Sequence, residues 1–336
     1  MISRKQFGTM PDGKAIFAYT MTNTSGASVK IMEYGGIIID IYVPDKNGDF
    51  ADVTCGYETL EDYIKGDQNQ GALIGRYGNR IGKGKFTLNG EEIQLNLNDG
   101  NNHLHGGPTG FGTRVWASEC EECEGYDKLT LTLHSPDGDE NYPGNLDVTV
   151  VYTFNEENEL TIDYTATTDK DTLCNLTNHA YFNLAGFNGG DICNHKIMID
   201  ADRYTETDSE LIPTGDLPSV EGTKFDLRKP TMLTEYYDDN FCLNGEGFRQ
   251  IVDVVDTVSG RGMKVYTDLP GVQLYTGGFM GGDILYKRGV KSEPHHAFCL
   301  ETQCWPDSPN HENFTNTVLR AGETYRTTTK YSFYFV

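Results

Sequence analysis

Between Leu146 and Ala166 apolar and polar residues alternate with a period of two, and only Asn155-Glu156-Glu157-Asn158 interrupts the alternation. Successive side chains of a strand point to opposite faces. Leu146, Val148, Val150, Tyr152 and Phe154 therefore face one way, and Leu160, Ile162, Tyr164 and Ala166 match them across a hairpin turn. Further strands are readable at Ala15 to Thr20, Val29 to Tyr34, Ile37 to Val43, Leu129 to Leu133, Gly262 to Thr267, Val272 to Thr276 and Tyr325 to Phe335. The 38 glycines and 20 tyrosines suit strands joined by tight turns. Helical signal is thin: Thr59 to Gly66 reads as a short helix capped by Thr59 or an earlier residue and ended by Gly66. With no internal repeat or linker, residues 1–336 are expected to form one large antiparallel all-β domain with few short helices.

Charge excludes some partners. Lys and Arg number 27 against 50 Asp and Glu, a formal net charge of -23, which repels phosphate backbones and anionic lipid surfaces. Nucleic acid is not an expected partner. Nor is a membrane, because no stretch approaches the roughly 20 apolar residues of a span. Met1 to Thr20 lacks the apolar run of a signal peptide. Eight scattered cysteines are then expected to be reduced thiols in a cytoplasmic protein. Cys120-Glu121-Glu122-Cys123 has no second ligand pair for zinc and reads as an acidic solvated loop. Gly106 to Gly112 lacks the Lys of a phosphate loop and the spacing of a dinucleotide fingerprint, so it reads as a turn.

Three distant segments carry residues suited to proton transfer. In Asn102-His103-Leu104-His105-Gly106-Gly107, an extended backbone would put both imidazoles on one face. No carboxylate follows within four residues, so a cupin-type metal site is incomplete and structural or substrate-binding histidines are favoured. In Leu173 to Leu184, one face holds Asn175, Thr177, His179, Tyr181 and Asn183, a suitable floor for a polyhydroxylated ligand, while the other is mostly apolar. The alternative for that polar face is a solvated surface. In Phe298 to Gln303, Glu301 lies opposite Phe298 and Leu300, and apolar surroundings would raise its basicity. Gln273 and Tyr275 show a similar split.

Gly75-Arg76-Tyr77-Gly78-Asn79-Arg80-Ile81, Asn102 to Gly107, Thr177 to Leu184, Tyr237-Asp238-Asp239-Asn240-Phe241 and Leu300 to Asn310 together resemble the aldose 1-epimerase, or galactose mutarotase, family. The motifs keep that family's order and span most of the chain. The resemblance implies a galactose mutarotase-like β-sandwich and the interconversion of α and β anomers of a free aldose such as galactose or glucose, without cofactor or metal. It also implies that Glu301 is the catalytic base, that His179 is the catalytic acid, and that Asn79, Arg80, His105, Asp238 and Gln273 bind the sugar. Tyr236 and Asp239 depart from the family's usual Gly-Tyr-Asp-His-Asn-Phe, so the choice of Asp238 over Asp239 rests on the flanking Tyr237 and Asn240-Phe241. As a proton donor at neutral pH, His179 is expected to draw on the negative charge of Glu301 and Asp238. Tyr181, Phe279 and Trp305 are candidates to stack on a sugar. Two rival functions use similar residues: a glycoside hydrolase built on Asp238 and Glu301, and a sugar-binding protein without catalysis.

Overall fold

The computed structural model describes residues 1–66, 69–281 and 285–336. Antiparallel strands dominate it. A nine-stranded sheet runs in the order Ala117–Cys123, Tyr126–Ser135, Leu146–Asn155, Glu159–Thr168, Thr324–Phe335, Arg261–Thr267, Arg249–Asp256, His195–Ile199 and Thr231–Met232. The hairpin read from alternation is at its centre, with Val150 opposite Tyr164 and Phe154 opposite Leu160. A six-stranded sheet runs Ala201–Tyr204, Asp238–Leu243, Gly271–Tyr275, Phe298–Gln303, Tyr181–Phe182 and Thr54–Cys55. A five-stranded sheet takes the chain from Ile2 to Asp52.

The apolar faces of the two larger sheets meet. Val150, Tyr152, Ile162, Val265 and Tyr331 share one buried cluster with Phe182, Val272, Leu274, Phe298 and Leu300. Each such side chain contributes roughly 1.5–3 kcal/mol on burial, which fixes the register of both sheets because a one-residue slip would expose the whole set. Among the described residues the single α-helix is Leu60–Lys65. Thr59 Oγ1 accepts from the Asp62 N–H at 3.2 Å and the Gly66 N–H donates to Asp62 O at 2.8 Å, as the capping pattern predicts.

Two local expectations change. The Cys120 to Cys123 segment is the exposed edge strand Ala117–Cys123, not a loop, and its acidic side chains guard an open sheet edge. The segment from Leu173 to Leu184 is not one strand but three two-residue pieces, Thr172–Leu173, Thr177–Asn178 and Tyr181–Phe182, each paired in a different sheet.

The six-stranded sheet prepares the site. Across its ladders Asp238 is opposite Tyr275, Gln273 opposite Glu301, and Tyr181 opposite Cys299. Directly opposed residues share a face, so one face carries the polar groups while Val272, Leu274, Phe298, Leu300 and Phe182 enter the core behind it.

Candidate active site

A cavity of about 140 Å³ opens on that polar face and is lined by Asn79, Arg80, His105, His179, Asp238 and Glu301, with Asn69, Leu104, Tyr181, Tyr275 and Phe279 completing it. His179 and Glu301 come from segments 122 positions apart in the sequence and meet here, with Nε2 of His179 3.5 Å from Oε1 of Glu301. Both side chains are buried. The His179 backbone is clamped on both sides, its N–H donating to Ala72 O and its carbonyl accepting from Gly71 N–H, each at 2.9 Å. Tyr181 stacks on the imidazole with ring centroids 5.0 Å apart.

The proton balance of this pair departs from expectation. His179 is not held protonated by the acids near it: burial pushes its pKa down to about 4. Desolvation outweighs a backbone hydrogen bond that raises it. The same burial, with the neighbouring Asp238 carboxylate, pushes Glu301 up to about 8, while Arg80 opposes the rise. The pair thus carries one proton across the neutral range, and burial favours keeping it on Glu301. Glu301 Oε2 and His179 Nδ1 are buried without a hydrogen-bond partner among the described residues. Such unsatisfied atoms are costly and rare.

Each binding candidate has a defined support. Asn79 sits at φ +64° after the Gly78 turn, and its N–H donates to His105 Nδ1 at 3.1 Å. Its own Oδ1 accepts from the Arg80 N–H at 2.8 Å. Because Nδ1 of His105 is an acceptor, the neutral ring carries its proton on Nε2 and acts as a donor. Burial keeps this imidazole well below its usual pKa. His105, His179 and Glu301 lie near enough to suggest a metal site, with ligand atoms all within 4.8 Å. A His105 whose one lone pair already accepts from Asn79 has none to offer an ion, so the cluster does not fit a three-ligand centre.

The paired-histidine reading is corrected here. The strand ends at Leu104 and His105 adopts φ +52°, so His103 and His105 do not share one extended face. His103 is a buried structural residue whose Nε2 pairs with Tyr142 OH at 2.7 Å and Nδ1 with Asn96 O at 2.6 Å. Gly106 lets this turn press against the preceding loop, since a Cβ there would lie 1.8 Å from Gly75 O and the backbone has φ +85°.

The two adjacent acids are placed differently. Asp238 lines the cavity, whereas Asp239 turns Oδ2 back to accept the Asp238 N–H at 3.1 Å. Gln273 is not part of the cavity wall. It stands behind the wall, donating to Asp238 Oδ1 at 2.9 Å, so its observed contact is with another binding candidate. The expected floor of Asn175, Thr177 and Asn183 is also corrected: only His179 and Tyr181 of that face reach the cavity. Asn175 instead accepts from Cys304 N–H at 2.9 Å, and Asn183 donates to Gly190 O and His296 O, satisfying buried backbone. Tyr181 and Phe279 line the cavity as stacking candidates, but Trp305 donates to Pro270 O and packs on Phe314 instead. Asn69 lies outside every motif of the sequence, and Leu104 lies inside one without a role of its own there. Asp99, which binds Arg80, lay within the turn-rich run before the histidines and was hidden by its polar neighbours.

Known proteins share this arrangement of sequence and fold. The bovine galactose mutarotase is 40% identical over 341 residues, covering 99% of this chain and 98% of that protein. The crystal structure of an aldose epimerase homologue from C. elegans superposes with a TM-score of 0.88 at 28% identity, covering 94% of this chain and 98% of the other. Galactose 1-epimerase from Lactobacillus acidophilus gives 0.87 at 26% identity, covering 100% and 99%. The sequence model described as aldose 1-epimerase matches residues 18–332, and this chain belongs to that family.

Proposed function

We propose that this chain opens and closes the ring of free aldoses such as galactose or glucose, interconverting their α and β anomers. The observation that carries the reading is the buried His179–Glu301 pair at 3.5 Å, an imidazole and a carboxyl side by side among the residues lining a cavity of about 140 Å³. A hemiacetal in this cavity offers each group a partner. Its anomeric hydroxyl donates to Glu301, and its ring oxygen accepts from His179. Hydrogen bonds to the charged forms favour them, so sugar entry moves the shared proton from Glu301 to His179. Glu301 then takes the hydroxyl proton while His179 protonates the ring oxygen, and the bond from that oxygen to the anomeric carbon breaks. The resulting aldehyde turns about its bond to the next carbon, and reversed transfers close the other anomer.

Asn79, Arg80, His105 and Asp238 hold the remaining hydroxyls through this turn, and Gln273 supports Asp238 from behind. The monosaccharide is the only reactant; every proton moved begins and ends on the sugar or the pair. We read residues 1–336 as one functional unit. Among the described residues no helix is long and apolar enough to cross a membrane, and the eight cysteines are free, which suits a reducing cytoplasmic setting. Polarimetry on fresh α-galactose and α-glucose tests the reading. Accelerated approach to anomeric equilibrium is expected; binding without acceleration would leave a sugar-binding protein, and release of sugar from a glycoside would point to a hydrolase.

A further inference from the structure

Arg80 has a partner outside the cavity. Its Nε donates to Asp99 Oδ2 at 2.8 Å, and among the described residues no protein acceptor engages its Nη atoms. Arg80 is largely buried on the cavity wall, while the Asp99 side chain is 36% exposed. An ion pair with so open a carboxylate adds little to stability, yet it fixes a long and otherwise mobile side chain by the one nitrogen that does not point outward from the guanidinium.

The position of Asp99 is itself built. Its backbone carbonyl accepts the Asn102 N–H at 2.9 Å, and its own N–H donates to Asn102 O at 3.1 Å. Asn98 beside it clasps Leu104, accepting from its N–H at 2.8 Å and donating to its carbonyl at 2.9 Å. Leu104 pairs with Arg80 across a two-residue ladder, and His105 follows directly. The turn that carries Asp99 is thus tied to the backbone of the arginine it holds and to the histidine beside it. On the inner side stands Asp238, a second carboxylate on the same cavity wall. The Arg80 charge acts on Asp238 too, opposing the rise that burial imposes on that carboxyl.

We infer that Asp99 is a positioning residue: it holds the Arg80 guanidinium by Nε, leaves both Nη groups directed to sugar hydroxyls, and keeps Arg80 from collapsing onto Asp238. This rests on the sugar-binding role of Arg80 proposed above. Arg80 would grip hydroxyls that take no part in ring opening, so its loosening weakens substrate and transition state alike and is read in KM.

The experiment is steady-state mutarotation of D-galactose by wild type, D99N, D99E, R80M and R80M/D99N, with thermal unfolding of each. D99N is expected to raise KM about tenfold, the order set by freeing a rotamer-rich side chain, with kcat changed less than threefold. D99E should recover most of the loss. In the R80M background, adding D99N should change KM less than twofold, because the residue through which it acts is gone. A wild-type KM in D99N, or a D99N penalty that persists in full without Arg80, would overturn the inference. Should wild type bind galactose without hastening anomer exchange, the functional reading falls, and the same comparison is made on galactose affinity by calorimetry, where an unchanged D99N would overturn this inference separately.

Discussion

Two buried charged clusters stand on neighbouring parts of this fold and are finished in opposite ways. Lys287 is buried with Nζ donating to Ile39 O at 2.7 Å, Asp40 Oδ1 at 2.9 Å and Asp52 Oδ2 at 2.5 Å. Asp52 Oδ1 in turn accepts from the N–H groups of Ile41 and Thr54, each at 3.1 Å. The two carboxylates hold the ammonium well above its usual pKa despite burial. The His179–Glu301 pair, equally buried, has no such shell among the described residues: its contact is 3.5 Å long, and Glu301 Oε2 and His179 Nδ1 have no hydrogen-bond partner there. A complete shell marks a fastener. An incomplete one, opening on a cavity, marks a place where a ligand finishes the network.

The contrast breaks most visibly in rate. Replacing His179 by Asn should lower mutarotation by roughly 10²- to 10⁴-fold, the usual loss for a general acid, with unfolding little changed. Stopped or slow polarimetry measures it; a loss under tenfold would place the acid elsewhere. Lys287→Met should do the reverse. Removing one member of a satisfied buried cluster typically costs about 3–5 kcal/mol of stability, so denaturant unfolding should shift strongly while kcat of the folded fraction stays within about threefold. An unshifted midpoint would show that the cluster is not the fastener described.

The pH dependence sharpens the comparison. In free enzyme the pair should lose its base below about 4, where His179 and Glu301 are both protonated, and its acid above about 8, where its single proton leaves. kcat/KM should therefore follow a bell between those limits, which belong to the pair as a unit. A flat profile from pH 5 to 10 would contradict a shared proton.

A smaller effect concerns stability. Glu301 has a folded pKa near 8 against an ordinary 4.5, so the native state keeps a proton that the unfolded chain releases. Stability from this group is complete below about 4.5 and is lost as pH rises toward 8, amounting to about 3 kcal/mol by neutrality. Glu301→Gln removes the ionisation. Its melting temperature should exceed that of wild type at pH 7.5, and the gap should close near pH 5; a variant less stable than wild type at both would contradict the raised pKa of Glu301.

The sequence disclosed the strands because one apolar face per strand leaves a period of two, and Leu146 to Ala166 shows it without help from tertiary structure. Glu301 was legible through the resemblance rather than through alternation, which put it opposite Leu300 where an exposed glutamate is the ordinary outcome; packing on both faces buries all six residues of Phe298–Gln303. Alternation failed between Leu173 and Leu184, where short pieces join three sheets and polar side chains serve buried backbone. Left-handed residues were equally hidden, since nothing local announces φ +52° at His105 or +64° at Asn79. The two arginines of one motif make the limit plain. Arg76 spends its guanidinium on Ser135, Pro136, Pro143 and Thr172, whereas Arg80, a residue of the cavity wall, makes its one side-chain bond among the described residues through Nε to Asp99. Four positions apart, they differ through partners that lie far along the chain.

The most direct measurement is the rate at which purified Glu301→Gln brings α-galactose to anomeric equilibrium, set beside its galactose affinity by calorimetry. The account predicts affinity within about fivefold of wild type and a rate reduced at least a hundredfold, because the amide fills the same space but accepts no proton. Full rate in that variant would contradict it.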